Sequence, residues 1–290
     1  MENDSHPIEP KTPQEPQSSP RCGSRIRRIA LYGAAIFCLF GVLVFALLFP
    51  ALQKAREAAR QMVCTSCLKQ IWLGMLIYHD VYGCLPPAYT VDSEGKPLHS
   101  WRTLLLPYLE QQELYEKIRL DEPWDSAWNR QFANVNLRRL FRCPTGAAGD
   151  LSMVEDIFLD PDHSTTSGDC YYSVVVGEGT CFPGDKTVTL SDITDGTMNT
   201  VLAVERTTPV NWMVPDKEIT LETALKGINP AEGKTEGKAV GKSKVGSVHA
   251  GKANVAFVDG TIRFLMNDID PKVWKSMLLI NDSSSVRQER

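Results

Sequence analysis

The sequence predicts an α+β protein in which an N-terminal transmembrane helix continues into a long amphipathic helix packed on an antiparallel β-sheet. Three observations lead to this prediction. An uncharged apolar run extends from Ile29 to Phe49, a stretch with helical periodicity follows Pro50, and segments rich in Val and Thr dominate from about residue 150. A C-terminal β-hairpin completes the predicted fold.

The apolar run from Ile29 to Phe49 has the length and composition of a transmembrane helix. At 1.5 Å per residue it reaches about 31 Å, roughly one hydrocarbon core. Two alternatives stay open. A buried core helix of this length normally carries some polar residues, and a cleaved signal peptide normally has a shorter apolar region that ends at small residues. Here the run is followed by Pro50 and by further helix, which favours a permanent span.

Basic residues before the run predict its orientation. Arg21, Arg25, Arg27 and Arg28 lie on the N-terminal side, and basic flanks of a span remain in the cytoplasm. The N-terminus is therefore expected inside the cell and the C-terminal domain outside it. We expect a single-pass protein of the cytoplasmic (inner) membrane.

Composition predicts three regions along the chain. Residues 1–28 begin with a segment rich in Pro, Ser and Glu, which predicts a disordered cytoplasmic tail. Residues 29–49 form the span, and residues 50–290 are enough for one extracytoplasmic domain with a full core. The net charge of −4 argues against nucleic acid as a partner. The lipid bilayer is the partner that these patterns require.

A long amphipathic helix is predicted directly after Pro50. Its apolar residues recur at steps of three or four, and the pattern ends near Tyr82 and Gly83, before Pro86. The apolar stripe consists of Leu52, Ala55, Ala59, Met62, Leu68, Ile71, Trp72, Met75 and Tyr78. Such a stripe must be covered by other structure, and we expect a sheet to cover it.

A second helix is predicted over residues 100–118. Ser100 is the expected N-cap, and Pro107 is expected to bend or interrupt the helix. Residues 121–129 are rich in turn formers and aromatic side chains and predict an irregular segment. Residues 134–142 match neither the helix nor the strand pattern.

Three segments rich in Val and Thr predict strands, at residues 171–177, 187–193 and 200–206. Residues 226–247 are rich in Gly and Lys without apolar periodicity, which predicts a mobile loop. A hairpin is predicted over residues 253–265, where two β-branched and aromatic runs flank an Asp-Gly pair. That pair favours a tight turn of two residues.

Several blocks of the sequence, taken in order, resemble the DUF1559 family of prepilin-like bacterial proteins. They are LFPALQKAREAARQMVCTSCLKQIWLGMLIYHDVYGCLPPA, SWRTLLLPYLEQQELYEKI, LDEPWDSAWN, FRCP, ITDGTMNTVLAVE and HAGKANVAFVDGTIRFL. His249 and Asp259-Gly260 fit the C-terminal His-x9-Asp-Gly signature of the family. The resemblance implies a type IV pilin-like fold whose N-terminal helix is similar to that of type II secretion pseudopilins. It implies no established reaction.

The chain departs from this family at the membrane entry. The family has Gly-Phe-Thr there and a glutamate four residues after the Phe, and a prepilin peptidase cleaves after the glycine. The corresponding positions of this chain are Arg28, Ile29, Ala30 and Gly33. The processing signal is missing, which favours a permanently anchored monomer over a processed filament subunit.

His249 and Asp259 are the first candidates for a binding site. Catalysis would require a nucleophile or a second base within hydrogen-bond reach, and a metal site would require three or more ligands. In the structural alternative, His249 bonds a backbone group at a strand entry and Asp259 supplies the turn. We therefore predict no catalytic residue, no metal site and no cofactor, and we expect that the protein is not an enzyme.

Asn199, Trp124 and Trp128 are further binding candidates. Asn199 belongs to a block in which Asp195-Gly196 is fully explained by turn chemistry. The two tryptophans lie among acidic and amide side chains, a mixture that is common on carbohydrate-binding surfaces. Tryptophan also fills protein cores well, so a packing role is the alternative.

Eight cysteines are present, and six of them fall in the predicted extracytoplasmic domain, where oxidation favours disulfides. The expected pairs are Cys64 with Cys143 and Cys170 with Cys181. Cys67 and Cys84 would then remain, either paired or free. The Cys64-x-x-Cys67 spacing lacks the sequence context of a redox motif and the second pair of a zinc site.

Together these patterns predict a membrane-anchored, pseudopilin-like extracytoplasmic protein. Its expected role is structural, assembly-related or adhesive at the cell envelope, with other pilin-like or envelope proteins as further partners. A tethered module that binds a solute or glycan is the alternative. An uncharacterised enzyme is the third possibility.

Overall fold

The computed structural model describes residues 23–141, 168–229, 244–247 and 251–282. The chain forms two compact units, Met1–Arg56 and Glu57–Arg290. The described α-helices are α1 (Gly23–Tyr82), α2 (Trp101–Leu105), α3 (Gln112–Tyr115), α4 (Arg138–Phe141), α5 (Leu221–Ala224) and α6 (Pro271–Leu278). The strands are β1 (Tyr89–Val91), β2 (Pro97–Ser100), β3 (Asp169–Ser173), β4 (Val175–Val176), β5 (Val201–Asn211), β6 (Ile219–Thr220), β7 (Lys252–Phe257) and β8 (Ile262–Met266).

The first unit contains the N-terminal part of α1. Its described apolar side chains are exposed, with Phe37 at 77% and Phe45 at 65% of their full accessible area. Among the described residues, one helix segment, Leu39–Tyr82, is long and apolar enough to cross a membrane, and none of its most apolar window is buried. A core helix of a soluble protein would be mostly covered. By length and composition, a membrane anchor and a signal sequence both fit.

The second unit contains the C-terminal part of α1, where the predicted amphipathic stripe is confirmed from Leu68 onward, since Leu68, Ile71 and Met75 are fully buried. The first part of the stripe is wrong as a buried face, because its members are exposed: Leu52, Ala55, Ala59 and Met62. The helix ends at Tyr82 as predicted. Gly83 adopts φ = 75°, and its N–H donates to the carbonyl of His79 at 2.7 Å. This left-handed glycine closes the helix without a β-carbon penalty.

A four-stranded antiparallel sheet with the order β3-β5-β7-β8 forms the centre of the second unit. Strands β1 and β2 form a separate antiparallel pair, and β4 and β6 form a short parallel pair. The chain is therefore an α+β protein, as predicted, and the long N-terminal helix with its antiparallel sheet is consistent with a pilin-like fold.

Of the three predicted strands, two are confirmed and one is wrong. Residues 171–177 overlap β3 and contain β4, and residues 200–206 overlap the longer β5. Residues 187–193 form no strand; instead Leu190–Asp192 is a 3₁₀ turn. Thr189 N–H donates to Asp192 Oδ2 at 2.8 Å. This side-chain contact with the local backbone takes the place of the hydrogen bonds that a neighbouring strand would make.

The predicted C-terminal hairpin is confirmed, but its predicted turn is wrong. The Phe257 N–H donates to the Thr261 carbonyl at 2.9 Å, which leaves three loop residues rather than two. Gly260 has φ = 85°, and Asp259 is not among the described residues with positive φ. A three-residue turn that ends in a left-handed glycine needs positive φ only at Gly260, whereas the two-residue turn needs it at both central residues.

Helical structure in residues 100–118 is broken at the predicted place. Ser100 caps α2 by accepting the Arg102 N–H at 3.3 Å, and the chain then tightens into a 3₁₀ turn over Leu106–Leu109. Helix α6 was not predicted. Its signals are present, since Asp270 accepts the Lys272 N–H at 2.7 Å and Pro271 occupies the first turn.

Two clusters of buried side chains stabilise the second unit. The larger one joins α1 and α2 to strands β3 and β5 through residues such as Ile71, Leu105 and Tyr172. The smaller one joins α6 to strands β5 and β7 through Trp274 and Phe257. The predicted packing of the long helix against a sheet therefore accounts for the main core.

Candidate functional site

The Asp259-Gly260 turn is the first candidate, because it carries the second half of the His-x9-Asp-Gly signature. Asp259 Oδ1 accepts hydrogen bonds from Thr261 N–H at 2.9 Å and from Thr261 Oγ1 at 2.7 Å. The carboxylate thus organises its own turn. His249 lies outside the described residues, so its predicted binding role stays a prediction.

The same turn is held against helix α1. Lys69 Nζ donates to the Gly260 carbonyl at 2.8 Å, and Trp72 Nε1 donates to the Val258 carbonyl at 2.9 Å. The Lys69 ammonium also lies 4.3 Å from the Trp72 ring centroid. The turn that contains the Asp-Gly pair therefore contacts a helix that is far away in the sequence. A local sequence pattern does not reveal this contact.

Asn199 lies close to this turn, on the segment that precedes β5. The Asp259 N–H donates to the Thr197 carbonyl at 3.1 Å, which brings the two predicted binding residues into one region. Asn199 itself is exposed, its N–H donates to the Gly196 carbonyl at 3.0 Å, and its amide makes only a long contact of 3.4 Å with the Asp195 carbonyl. These contacts describe a turn residue.

Trp124 and Trp128 lie on a different part of the surface, in the segment 119–129, which we call the aromatic loop. Trp124 is half-buried against the main core, and its N–H donates to the Leu98 carbonyl at 3.0 Å. Trp128 is 42% exposed, its Nε1 donates to the Lys117 carbonyl at 2.9 Å, and the Arg119 guanidinium lies 4.2 Å from its ring centroid. The two rings are engaged separately and do not form one flat platform.

Asn129 organises the aromatic loop from inside. It is fully buried, and its Nδ2 donates to the carbonyls of Arg119 at 2.9 Å and Pro123 at 3.1 Å. A third contact from the same nitrogen reaches the Glu122 carbonyl at 3.2 Å, and Asn129 Oδ1 accepts the Arg119 N–H at 3.0 Å. The sequence placed Asn129 near the tryptophans as a polar neighbour, and the structure gives it a scaffold role instead.

His99 connects the aromatic loop to strand β2. Its ring is 1% exposed, and Nε2 lies 2.8 Å from the Glu122 carbonyl. Burial lowers the pKa of His99, although the neighbouring loop carbonyls and Asp121 oppose this effect. The neutral form with the proton on Nε2 satisfies the contact to Glu122.

A buried charged cluster lies between α2, β3 and Glu218. The Arg102 guanidinium is fully buried and donates to Glu218, to Ser100 Oγ at 3.0 Å and to the Tyr172 carbonyl at 2.6 Å. Glu218 Oε2 also accepts the Ser173 hydroxyl at 2.7 Å. The sequence carried no local signal for this cluster, because its members lie on distant segments.

The predicted disulfide between Cys170 and Cys181 is absent. Both side chains are buried thiols, and Cys170 Sγ faces the Arg102 Nε at 3.1 Å. Burial raises the pKa of the Cys170 thiol, against the lowering effect of Arg102, and burial raises the pKa of Cys181 to about 12. Cys170 therefore belongs to the charged cluster around Arg102 and is a free thiol, as is Cys181.

Cys64 and Cys67 face the core from α1. Both are buried, and Cys67 Sγ lies 3.4 Å from the Arg139 carbonyl on α4. Cys143 lies outside the described residues, so its predicted pairing with Cys64 stays a prediction. Within the described residues, no group of three or more His, Cys, Asp or Glu side chains is arranged to hold a metal ion.

A second buried polar contact joins the two central strands. The Glu205 carboxylate on β5 accepts the Asn254 N–H at 3.0 Å and the Asn254 Nδ2 at 2.9 Å on β7. Both residues are almost completely buried. The described candidate residues thus act mainly through contacts within the fold.

The model of one protein family, described as "Protein of unknown function (DUF1559)", matches residues 53–272 of this chain. The match covers all but the first five residues of the sequence blocks that carry the resemblance. No curated protein and no solved structure matches the chain.

Proposed function

This chain belongs to the DUF1559 family, and on that premise we propose that it is a membrane-anchored, pseudopilin-like extracytoplasmic protein. Its role is structural, assembly-related or adhesive at the cell envelope. The tail before the helix faces the cytoplasm, and the sheet-bearing unit lies outside the cell, as the basic N-terminal flank favours.

The observation that carries the proposal is the uncovered apolar part of α1. Phe37, Phe40, Val42 and Phe45 are each at least 64% exposed, and the most apolar window of the helix is not buried at all. Apolar area of this extent is costly in water, and a lipid bilayer removes that cost. A helix also satisfies its own backbone hydrogen bonds in lipid.

Two exposed apolar side chains on the second part of α1 support the assembly role. Met62 is 69% exposed and Leu73 is 47% exposed. They lie about three helical turns apart and therefore point in nearly the same direction. Helices with such faces bind partner helices through side chains at these spacings.

Trp128 favours a second candidate function, a tethered module that binds a solute or glycan. At 42% exposure its ring offers apolar area to a ligand. One ring face is occupied by Arg119, so a sugar would have to stack on the other face. A thermal-shift screen against a broad panel of glycans and solutes tests this candidate, because a ligand that binds the folded state raises the melting temperature.

Membrane extraction of the full chain tests the anchor. We expect the protein to stay in the membrane pellet after alkaline carbonate washing, with an intact mass that includes residues 1–28. A shortened mass together with release into the soluble fraction would show a cleaved signal sequence and would contradict the anchor.

Site-specific photo-crosslinking tests the assembly role in the native membrane. A crosslinker at Leu73 should give adducts with a partner protein, whereas a crosslinker at Glu94 should not. Glu94 is a suitable control because it is exposed in the turn between β1 and β2. Equal yields at both positions, or no adduct at Leu73, would contradict assembly through this face without affecting the anchor.

A further inference from the structure

We propose that His99 is an acid-sensitive latch that holds the aromatic loop on strand β2 and releases it when the imidazole is protonated. The inference goes beyond the anchoring and assembly role and does not depend on it. It concerns the segment 119–129 and the two tryptophans that this segment carries.

The loop is joined to β2 by two neighbouring contacts. His99 Nε2 lies 2.8 Å from the Glu122 carbonyl, and the Trp124 N–H donates to the Leu98 carbonyl at 3.0 Å. The backbone of His99 is itself held by β1, since its N–H donates to Thr90 Oγ1 at 3.1 Å. The latch residue is therefore fixed on the strand side, and the loop is the part that can move.

The loop is tied together internally and is expected to move as a unit. The buried Asn129 amide bonds the carbonyls of Arg119, Glu122 and Pro123. The Arg119 guanidinium and the Glu122 carboxylate pair at 2.9 Å on the outer side. These contacts lie within the loop and survive its displacement, whereas the two contacts to β2 do not.

Protonation changes the balance at His99 because its second nitrogen makes no hydrogen bond in the closed loop. In the neutral ring, Nε2 donates to the Glu122 carbonyl, and Nδ1 is buried without a hydrogen-bond partner. A proton on Nδ1 would place a charge and a new donor in a site that water does not reach, which is costly. Opening of the loop hydrates the ring and removes this cost.

The charged groups around the His99 ring do not offset the cost of a buried, protonated imidazole. Asp121 attracts an imidazolium, but it is exposed and therefore screened. Arg119 and Glu122 neutralise each other as an ion pair. Strand β1 contributes the Thr90 hydroxyl, and Arg102 at the start of α2 is paired with Glu218. Burial is the largest influence on the ring, and it lowers the pKa of His99 against the opposing effect of the Glu122, Arg119 and Leu120 carbonyls.

The sign of the pH dependence follows from linkage. The ring takes up its proton at a higher pH in the released loop than in the closed loop, so acid favours release. Stability of the closed loop is fully present above a pH of about 6.5, the ordinary value for histidine, and falls as the pH drops from there toward the lowered pKa. One proton limits the change in the opening constant to about tenfold per pH unit.

Hydrogen exchange of the full chain in lipid nanodiscs tests the latch. Between about pH 7.5 and about pH 5, peptides from 119–129 should lose protection several-fold after correction for intrinsic exchange, up to the one-proton limit. Peptides from β7 should keep their protection. In His99→Gln, whose amide retains a donor toward the Glu122 carbonyl but does not titrate, the protection of 119–129 should not depend on pH.

Two results would overturn the proposal. One is the same loss of loop protection in wild type and His99→Gln. The other is a parallel loss in 119–129 and β7, which would show global unfolding. If His99→Gln does not fold, NMR titration of the wild-type imidazole decides instead: the loop amides must shift with the same midpoint as the His99 ring, and loop shifts that do not follow the ring exclude the latch.

Discussion

Trp72 on helix α1 lies so close to Gly260 in the β7–β8 turn that a β-carbon at position 260 would stand within 2.5 Å of Trp72 Cζ2. Gly260 also has φ = 85°, a conformation that other residues rarely adopt. Two independent constraints therefore require glycine at this position. The turn is built for its contact with the helix as well as for its own geometry.

Replacement of Gly260 by alanine is expected to destabilise the protein by about 2–4 kcal/mol, the sum of left-handed backbone strain and overlap with the Trp72 ring. The ring has little room to shift, because Trp72 Nε1 donates to the Val258 carbonyl. Gly95→Ala is the matched control, since Gly95 has φ = 82° and nothing within 4 Å of an added β-carbon. Urea unfolding of both variants measures the difference. Equal losses would mean that the ring contributes nothing.

Loss of one partner from the buried Arg102–Glu218 pair is expected to cost about 3–5 kcal/mol, because the remaining charge stays buried without its partner. Arg102→Met tests this, since its side chain keeps much of the volume. Glu222→Ala is the control, because its pair with Lys226 lies on the surface at 3.8 Å and should contribute little. Chemical unfolding monitored by circular dichroism gives both values. A small effect of Arg102→Met would show that the site adapts to the neutral residue.

Asn129→Ala should destabilise the protein by at least about 2 kcal/mol, since it leaves several loop carbonyls without a donor in a buried site. Asn199→Ala is expected to lie within about 0.5 kcal/mol of wild type, because Asn199 is exposed and its side-chain contact is long. Unfolding curves for the two variants check the contrast. A large effect at Asn199 would revive a specific role for that residue.

The thiols of Cys170 and Cys181 are expected to resist alkylation in the folded protein. Both are buried, and the raised pKa of each keeps the reactive thiolate scarce at neutral pH. Because a raised pKa moves thiolate formation to higher pH, reactivity should stay low until the solution is strongly alkaline or the protein unfolds. The partly exposed Cys84 should react before either of them. Rapid labelling of Cys181 at pH 7 would contradict its buried position.

The pairing of Cys64 with Cys143 can be tested on protein purified from membranes without reductant. Digestion and mass spectrometry should reveal a cross-linked peptide that contains both residues, and reduction should separate it. A peptide that links Cys67 with Cys143 instead would show that the neighbouring turn of α1 supplies the partner. No peptide should link Cys170 with Cys181, since both are free thiols in the fold.

Several features were determined by the sequence alone, because they depend on neighbouring residues. The apolar run, the stripe at helical spacing and the left-handed Gly83 define α1 and its end. Alternating β-branched residues define the hairpin, and the serine cap defines the start of α2. The wrong strand prediction for residues 187–193 has the same origin. It rested on the local Thr and Val content and did not include the capping contacts of Asp192.

Only the tertiary structure decided which distant residues meet. Arg102 and Glu218 are 116 positions apart, and Trp72 and Val258 are 186 positions apart, so no local pattern contains these pairs. The position of the Cys170 sulfur and the scaffold role of Asn129 follow from the same packing. Local propensity selects helices and turns, whereas burial and hydrogen bonding between remote segments decide which residues meet. The buried polar contacts of this protein are decided by these remote segments, because each buried polar group needs a partner.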